Sequence, residues 1–252
     1  MKRHRARRVV AVTGGTRGIG RAVAELFFKR GDTVAVGSRS VRSNGLPAAV
    51  FQSEVDVRRR SDIRRFMRAV VKKFGRLNVL VNCAGVSKWK PLTAIDEAFA
   101  SELMETSALG TLWSCAEAVA FIRAGGSIVN VSSLAGKRGS VNNSAYCGAK
   151  FAVNGITQSL AKELGPRGIR VNAVCPVYVK TDAILAALKD PDSPAQGQPA
   201  SQYLASFAKT QTALGRLPEA SEVAEAVYFL ASPAASAITG QCLNVDCGTL
   251  PQ

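Results

Sequence analysis

The sequence predicts a single α/β domain whose doubly wound parallel sheet is covered by helices on both faces. Short β-branched runs alternate with longer helical stretches along the whole chain, a pattern typical of parallel strands joined by right-handed helical crossovers. The strand runs are apolar at consecutive positions, as expected for strands that are buried on both faces. No internal repeat or Ser/Gly-rich linker divides the chain. We therefore expect residues 1–252 to form one domain, which their length permits.

The individual strands and helices are predicted from hydrophobic patterning. Strongly β-branched runs predict buried strands at residues 9–12, 33–36, 79–81, 127–131 and 169–174. Weaker runs of the same kind predict strands at residues 49–51 and 243–245. Helix-length stretches lie between the strands, at about residues 18–30, 61–74, 96–123, 145–164 and 220–231.

Residues 182–215 interrupt this alternation. The pattern there predicts two short helices joined by a connector that contains Pro191, Pro194 and Pro199. A long and partly irregular segment within a compact domain is often functional, although a disordered insertion is the alternative. Because the segment follows the carboxyl end of a predicted strand, we expect it to be a substrate lid.

The composition excludes several classes of protein and site. No run of about 18 apolar residues exists, so no helix is expected to span a membrane. The N-terminus carries no apolar signal segment, so secretion is not expected. The single histidine, His4, lies in a charged leader, which excludes Ser-His-Asp and Cys-His catalysis and predicts no metal site built on histidine. The six cysteines are scattered without a Cys-x-x-Cys pair, which favours a reducing, cytoplasmic location.

The chain is strongly basic, with 33 Lys+Arg against 18 Asp+Glu and a formal net charge of +15. Much of the excess lies in the leader and in one predicted helix, at Lys2, Arg3, Arg5, Arg7, Arg8, Arg58, Arg59, Arg60, Arg64, Arg65, Arg68, Lys72 and Lys73. Aromatic residues make up only 6% of the chain and no nucleic-acid-binding motif is present. We therefore expect a solvated surface and no nucleic-acid partner.

A third basic group follows the ends of two predicted strands, at Lys88, Lys90, Lys137 and Arg138. If these residues ring a cleft, they predict an anionic or carrier-bound substrate that is steered in by charge. Ordinary surface residues are an equally good interpretation.

A glycine-rich turn at residues 13–20 (TGGTRGIG) follows the first predicted strand and opens the first helix. Glycines permit a tight turn and let backbone N–H groups approach a pyrophosphate at the helix N-terminus. A plain strand–helix turn is the simpler interpretation of such glycines. Because the strand–turn–helix context is present here, the turn predicts a dinucleotide site.

The end of the second predicted strand favours NADP(H) over NAD(H). An acidic residue there would bind the adenine ribose 2′-hydroxyl, whereas a basic residue accommodates a 2′-phosphate. This chain has Ser38 and Arg39 at that position and no carboxylate, and Arg17 lies inside the glycine-rich turn. Both arginines together, with the acid missing, predict NADP(H).

Tyr146 and Lys150 are four residues apart on a helical pattern, so they share one face of the helix. A phenol with a pKa of about 10 is a poor acid or base at neutral pH, and a neighbouring ammonium lowers that pKa. Ser133 follows a strand end, where its hydroxyl would polarise a carbonyl oxygen. The alternative is that Tyr146 and Lys150 are ordinary surface residues of an amphipathic helix. Because the glycine-rich turn and Ser133 are present in the same chain, the catalytic interpretation is favoured.

Further motifs follow the glycine pattern Thr-Gly-x3-Gly-x-Gly in a definite order. They are Asp56, the run Asn82-Cys83-Ala84-Gly85, Ser133, Tyr146-x3-Lys150, Pro176 and Thr181. In this order the chain resembles the short-chain dehydrogenases/reductases over essentially its whole length, and the 3-oxoacyl and polyketide ketoreductases among them. The resemblance implies a Rossmann-like fold, a small carbonyl or alcohol substrate, and a homo-oligomer, either a dimer or a homotetramer.

The resemblance also implies roles for particular residues. Tyr146 would exchange a proton with the substrate oxygen, Lys150 would lower the pKa of Tyr146 and hold the nicotinamide ribose, and Ser133 would orient the substrate oxygen. The implied cofactor contacts are Gly14, Thr16, Arg17, Gly18, Ile19, Gly20, Ser38, Arg39, Asp56, Val57, Asn82, Ala84, Gly85, Tyr146, Lys150, Pro176, Val179 and Thr181.

Three positions depart from the family pattern. Ser107 replaces the asparagine that helps to hold a water beside the lysine, so Ser107 is the fourth candidate catalytic residue. Val177 and Cys247 replace glycines, and a valine disfavours a positive φ and adds bulk near the nicotinamide. These departures bear on efficiency and substrate more than on reaction class.

The sequence therefore predicts an NADP(H)-dependent oxidoreductase that interconverts a carbonyl and a secondary alcohol, with a 3-oxoacyl-type reductase as the leading version. A sugar or hydroxy-acid dehydrogenase of the same fold is one alternative. A non-catalytic NADP-binding regulator is the other, although the intact Ser133, Tyr146 and Lys150 argue against it.

Overall fold

The sheet of this computed structural model, which describes residues 7–41 and 45–251, has seven parallel strands in the order β3-β2-β1-β4-β5-β6-β7. The strands are β1 Val9–Thr13, β2 Thr33–Ser38, β3 Phe51–Glu54, β4 Leu77–Asn82, β5 Ile122–Val131, β6 Arg170–Pro176 and β7 Cys242–Val245. The predicted doubly wound parallel sheet is confirmed. Its strand order reverses between β1 and β4, and ligands of such folds bind outside the carboxyl ends of the strands at that reversal.

Helices cover both faces of the sheet. They are α1 Gly18–Lys29, α2 Arg60–Phe74, α3 Glu97–Leu103, α4 Gly110–Ala118, α5 Ser144–Leu164, α6 Asp182–Ala187, α7 Ala200–Gln211 and α8 Ala220–Leu230. A π-helical segment, Met104–Leu109, joins α3 to α4. On one face Phe66 of α2 is fully buried against the sheet, and on the other Phe27 of α1 is buried beside Val227 of α8. Burial of these apolar side chains is the main favourable contribution to the stability of the fold.

Two predicted elements include residues that form a turn in the structure. The helix predicted over residues 96–123 ends at Ala118, and Ile122 instead begins β5 by pairing with Leu77. The strand predicted over residues 49–51 begins only at Phe51, because the N–H of Val50 closes a turn onto the carbonyl of Pro47 at 2.9 Å. In both places an apolar run continues through a turn, so hydrophobicity alone does not mark the boundary.

The surface charge is compensated in part. The basic side chains of α2 are exposed, and Arg60 and Arg64 both form salt bridges with Glu117 of α4. The leader residues Lys2, Arg3, His4 and Arg5 lie outside the described residues. In the described part of the chain, no helix combines the length and apolar character needed to cross a membrane.

Residues 182–215 contain α6 and α7, the two short helices that the pattern predicts. They enclose a small apolar cluster of Leu188, Ala195 and Leu204, into which Trp89 inserts from the loop after β4. The connector between the helices is thereby attached to the body of the domain, and its role as a lid stays a prediction.

Candidate active site

A cavity of about 1390 Å³ opens at the carboxyl ends of the strands, where the strand order reverses. It gathers the glycine-rich turn, the ends of β2 and β3, the loops after β4, β5 and β6, and the start of α5. All the predicted site residues line it except Asn82 and Ser107. The structure therefore brings residues that are far apart in the sequence to one cleft.

Asn82 lies beneath the cavity and links strands. Its amide donates to Asn130 Oδ1 at 2.9 Å, and its own Oδ1 accepts from the Thr13 hydroxyl at 3.4 Å. These contacts tie the ends of β1, β4 and β5 together under the cleft. A contact of Asn82 with the cofactor stays a prediction.

The glycine-rich turn has the shape that a pyrophosphate requires. Gly14 has a φ of +68°, and a Cβ there would lie 2.7 Å from the backbone of Ala84. A Cβ on Gly20 would lie 2.2 Å from the carbonyl oxygen of Gly14. No side chain caps the N-terminus of α1 at Arg17, so the first N–H groups of the helix are available to a ligand. The turn therefore fits a dinucleotide.

Arginines lie at the end of β2 and in the glycine-rich turn. Among the described residues, the exposed Arg17 and Arg39 form no salt bridge, and the buried hydroxyl of Ser38 has no hydrogen-bond partner. Asp56 lies nearby, but its carboxylate is bound by Arg58, and this hydrogen bond holds the pKa of Asp56 below its ordinary value. The charge at this end of the cleft is therefore mainly positive.

Ser133, Tyr146 and Lys150 meet at the centre of the cleft. The Nζ of Lys150 donates to the carbonyl of Val131 at 2.9 Å and lies 5.8 Å from the centre of the Tyr146 ring. Burial lowers the pKa of Lys150 to about 8. The Oγ of Ser133 accepts from the N–H of Ala135 at 3.1 Å, which fixes the serine side chain at the end of β5.

The pKa of Tyr146 moves in the direction opposite to the prediction. Burial raises it, and hydrogen bonds with Ser133 and Ser87 oppose the rise without cancelling it. The expected lowering by Lys150 does not appear, because Lys150 is not among the groups that shift the pKa of Tyr146. Tyr146 is thus held as a neutral phenol, a proton donor, at neutral pH.

Ser107 lies next to this centre although it does not line the cavity. It is only 1% exposed, and its hydroxyl has no partner among the described residues. A back-bond to its own helix, the simpler expectation for such a serine, is therefore not formed. The residue lies in the π-helical segment between α3 and α4, a type of irregularity that is frequent at functional sites.

The other two departures from the family pattern are accommodated differently. Val177 does not have a positive φ, so its side chain does not strain the backbone. Cys247 has a φ of 53°, so it adopts the left-handed conformation that a glycine would adopt without strain.

Several residues of the cleft were not predicted from the sequence. Ser87, three residues after the Asn82-Cys83-Ala84 run, interacts with Tyr146. Tyr178 follows β6, and Tyr203 and Phe207 are four residues apart on one face of α7. Only the spacing of the last two was a usable signal, because the fold alone brings Tyr178 beside them.

Comparisons with known proteins agree with this architecture. The sequence profile of the family described as Enoyl-(Acyl carrier protein) reductase matches residues 14–249. The 3-oxoacyl-(acyl-carrier-protein) reductase FabG of Vibrio cholerae serotype O1 is 34% identical over 250 residues, which cover 96% of each chain.

Two solved structures are similar over nearly the whole chain. The ligand-free aldohexose dehydrogenase of Thermoplasma acidophilum has a TM-score of 0.89 at 31% identity and covers 98% of both chains. A single-substitution variant of the actinorhodin polyketide ketoreductase with NADPH has a TM-score of 0.87 at 31% identity and covers 96% of this chain and 97% of that one. With this sheet, this cleft and these matches, the chain is an oxidoreductase that belongs to the short-chain dehydrogenase/reductase family, whose members use a nicotinamide cofactor.

Proposed function

We propose that the protein is an NADP(H)-dependent oxidoreductase that interconverts a carbonyl and a secondary alcohol, with 3-oxoacyl compounds as its first candidate substrates. The observation that carries the proposal is the meeting of Ser133, Tyr146 and Lys150 in the same cavity as the glycine cradle of Gly14 and Gly20. The similarity to a 3-oxoacyl reductase and to a polyketide ketoreductase supports the substrate class.

Each residue of the centre has a chemical task in this proposal. When bound, the nicotinamide supplies or accepts the hydride. During reduction the Oη of Tyr146 donates its proton to the substrate oxygen, which bears the developing negative charge, and the Oγ of Ser133 donates a hydrogen bond to the same oxygen. The Nζ of Lys150 binds the ribose and stabilises the tyrosinate that forms once the proton has left.

The cofactor preference follows from the adenosine end of the cleft. Arg17 and Arg39 have no salt-bridge partner among the described residues, and Ser38 brings an unpartnered hydroxyl to the same place. A 2′-phosphate would form charge-assisted hydrogen bonds with these groups that a ribose hydroxyl cannot match. The remaining predicted contacts, from Thr16 to Thr181, line the same cavity with the exception of Asn82, and we propose that they hold the rest of the cofactor.

The decisive experiment measures oxidation of NADPH and of NADH against a panel of carbonyl compounds, with Tyr146→Phe as the matched variant. We expect turnover that is lost in the variant while nucleotide binding is retained. If the wild type and Tyr146→Phe are equally inert on every substrate while both bind NADPH, a non-catalytic regulator replaces this proposal.

A sugar dehydrogenase is the second candidate, because the aldohexose dehydrogenase aligns over the whole chain with a TM-score of 0.89. Aldohexoses and hydroxy acids, supplied with NADP or NAD in the oxidative direction, belong in the same panel. Turnover of a sugar with a kcat/KM above that of every ketone would favour this second function.

We also propose a homo-oligomer, a dimer or tetramer, and a cytoplasmic location. Large apolar side chains are exposed on the helical segment around α4 and on α5, at Met104, Leu109 and Phe151. Covering such a patch by a second copy would bury its apolar area. All six cysteines are free, as a reducing compartment would keep them. Analytical ultracentrifugation of the wild type beside Phe151→Glu tests the assembly, and a monomeric wild type would contradict it.

A further inference from the structure

Two further groups of residues line the cavity besides the glycine-rich turn and the catalytic centre. Tyr178, Tyr203 and Phe207 form one group, which we call the aromatic wall. Residues 138–143, which follow Ser133 in the chain, form the other group. A substrate whose carbonyl reaches Tyr146 shares the cavity with both groups.

The three rings of the aromatic wall contact one another. The centre of the Tyr178 ring lies 4.9 Å from that of Phe207 and 5.9 Å from that of Tyr203, in both cases edge to face. The hydroxyls of Tyr178 and Tyr203 are 3.4 Å apart, so the polar ends of these rings partner each other. The wall therefore offers mainly apolar ring surface to the cavity, which suits a hydrocarbon frame better than a polyhydroxylated one.

The cationic groups near the mouth are not equivalent. Lys88 and Lys90, both predicted to flank the cleft, form salt bridges with Glu102 and Asp96 respectively. Lys137 does not line the cavity. Arg138 does line it, is exposed, and forms no salt bridge with a described residue. Of the four predicted steering residues, Arg138 alone combines access to the cavity with an uncompensated charge.

The backbone holds Arg138 at a constant position relative to the catalytic centre. Its N–H donates to the carbonyl of Leu134 at 3.1 Å, within the turn that begins at Ser133. Its carbonyl accepts from the thiol of Cys147, the residue after Tyr146, at 3.9 Å. The backbone of Arg138 therefore has a defined position relative to both Ser133 and Tyr146.

Two carboxylates line the cavity on the side of the Pro-rich connector. Asp190 accepts the N–H of Asp192 at 2.9 Å, and Asn142 donates to the backbone carbonyl of Asp192 at 3.2 Å. These carboxylates repel an anion, so an anionic group in this part of the cavity is favoured only at the guanidinium of Arg138.

We propose that the substrate is an apolar ketone, or the corresponding alcohol, that carries a carboxylate on the same small carbon frame, with the frame against the aromatic wall and the carboxylate bound by Arg138. The inference rests on the proposed function and makes Arg138 the specificity-determining residue. The backbone contacts of Arg138 with Leu134 and Cys147 keep it close in the fold to both Ser133 and Tyr146, so a keto acid is the first ligand to test and a carrier phosphate the second.

The test compares 4-oxocyclohexanecarboxylate with its methyl ester, using whichever reduced nicotinamide the enzyme prefers. We expect the wild type to favour the acid by about tenfold or more in kcat/KM, mainly through a lower KM, because a carboxylate forms a charge-assisted hydrogen bond with the guanidinium and an ester does not. In Arg138→Gln the acid-to-ester ratio should fall to about 1, and Arg138→Lys should restore part of it. Lys88→Gln, which removes a cation already paired with Glu102, is the matched control and should keep the wild-type ratio.

The outcomes separate this inference from the proposed function. Turnover of the ester with no preference for the acid, or an acid preference that survives Arg138→Gln, overturns the carboxylate assignment and leaves the reductase intact. Turnover of neither compound, nor of any other ketone, overturns the proposed function itself. Acetoacetyl-CoA is the third arm, and an Arg138-dependent preference for it over the keto acid would assign the arginine to a carrier phosphate instead.

Discussion

The ammonium of Lys150 and the hydroxyl of Ser107 converge on the same side of Gly85. A Cβ on Gly85 would lie 3.6 Å from the Nζ of Lys150 and 3.9 Å from the Oγ of Ser107. Lys150 already donates to the carbonyl of Val131, whereas the Ser107 hydroxyl has no partner among the described residues. Because Gly85 has no side chain, nothing from this residue separates the two groups.

Ser107→Ala tests how much the reaction depends on this hydroxyl. A serine is shorter than an asparagine and lacks its separate donor and acceptor, so we expect chemistry to depend little on it. The loss in kcat should be under about 10-fold, against about 10²–10⁴-fold for Tyr146→Phe, which removes the general acid. Single-turnover kinetics of both variants provide the comparison, and equal losses would show that Ser107 carries a larger role.

Arg39→Asp tests the basis of the cofactor preference. The wild type should bind NADPH more tightly than NADH, because Arg17 and Arg39 receive the 2′-phosphate. The variant should reverse or abolish that preference by placing a carboxylate where the ribose hydroxyl would lie. Fluorescence titration with both nucleotides at matched salt gives the two Kd values. Arg68→Asp changes another exposed arginine, on α2, and should leave their ratio unchanged. Equal affinities in the wild type would contradict the assignment.

Lys150→Met tests the electrostatic cost of the buried ammonium. Burial lowers the pKa of Lys150 to about 8 from its ordinary value of 10.5, so between these pH values the unfolded chain binds more protons than the folded one. The wild type therefore becomes more stable as the pH rises from about 8 towards 10.5, because the folded chain loses the Lys150 proton more readily than the unfolded chain. Below pH 8 this gain in stability is absent.

The free energy of unfolding of Lys150→Met relative to the wild type should accordingly fall by on the order of 3 kcal/mol from neutral pH to about pH 10.5. Urea titrations at several pH values, without nucleotide, measure it. Lys162→Met replaces an exposed lysine on the same helix and should show no comparable trend. If the difference in free energy of unfolding between Lys150→Met and the wild type does not change with pH, the ammonium of the wild type is in contact with water.

Cys247→Gly tests the strain at a family glycine position. A non-glycine residue in the left-handed conformation costs about 1–2 kcal/mol of stability. Glycine removes that cost, but its larger unfolded-state entropy offsets part of the gain. We expect Cys247→Gly to raise the free energy of unfolding by about 0.5–1 kcal/mol. Cys247→Ala removes the thiol and keeps the strain, so it should bring no such gain. Equal stability of the glycine and alanine variants would rule out backbone strain as the cause.

The sheet and the motifs were predictable from the sequence because both depend on local patterns. β-branched runs indicate β1, β4 and β6 independently of the rest of the fold. The glycines around Gly14 are required by the geometry of a turn that involves only a few consecutive residues. Boundaries were less predictable, since Ile122 is apolar in either a helix or a strand and only its pairing with Leu77 decides.

Properties that depend on side chains meeting across the fold were not predictable. The direction of the Tyr146 pKa depends on burial, which the spacing to Lys150 does not report. The pairing of Lys88 with Glu102 neutralises a charge that the sequence placed at the cleft. The aromatic wall joins Tyr178 to Phe207 across 29 positions of sequence, which no local pattern connects.

The packing of Trp89 gives the protein an internal optical reporter. This indole is 3% exposed among Leu188, Ala195 and Leu204, so any displacement of residues 182–215 from the body must transfer it from an apolar environment towards water. The chain has one other tryptophan, Trp113, which lies away from this cluster, stacked under Arg60 at 4.8 Å. A red shift of emission that is retained in Trp113→Phe and lost in Trp89→Phe would therefore follow the opening of the cleft in real time, without an attached dye.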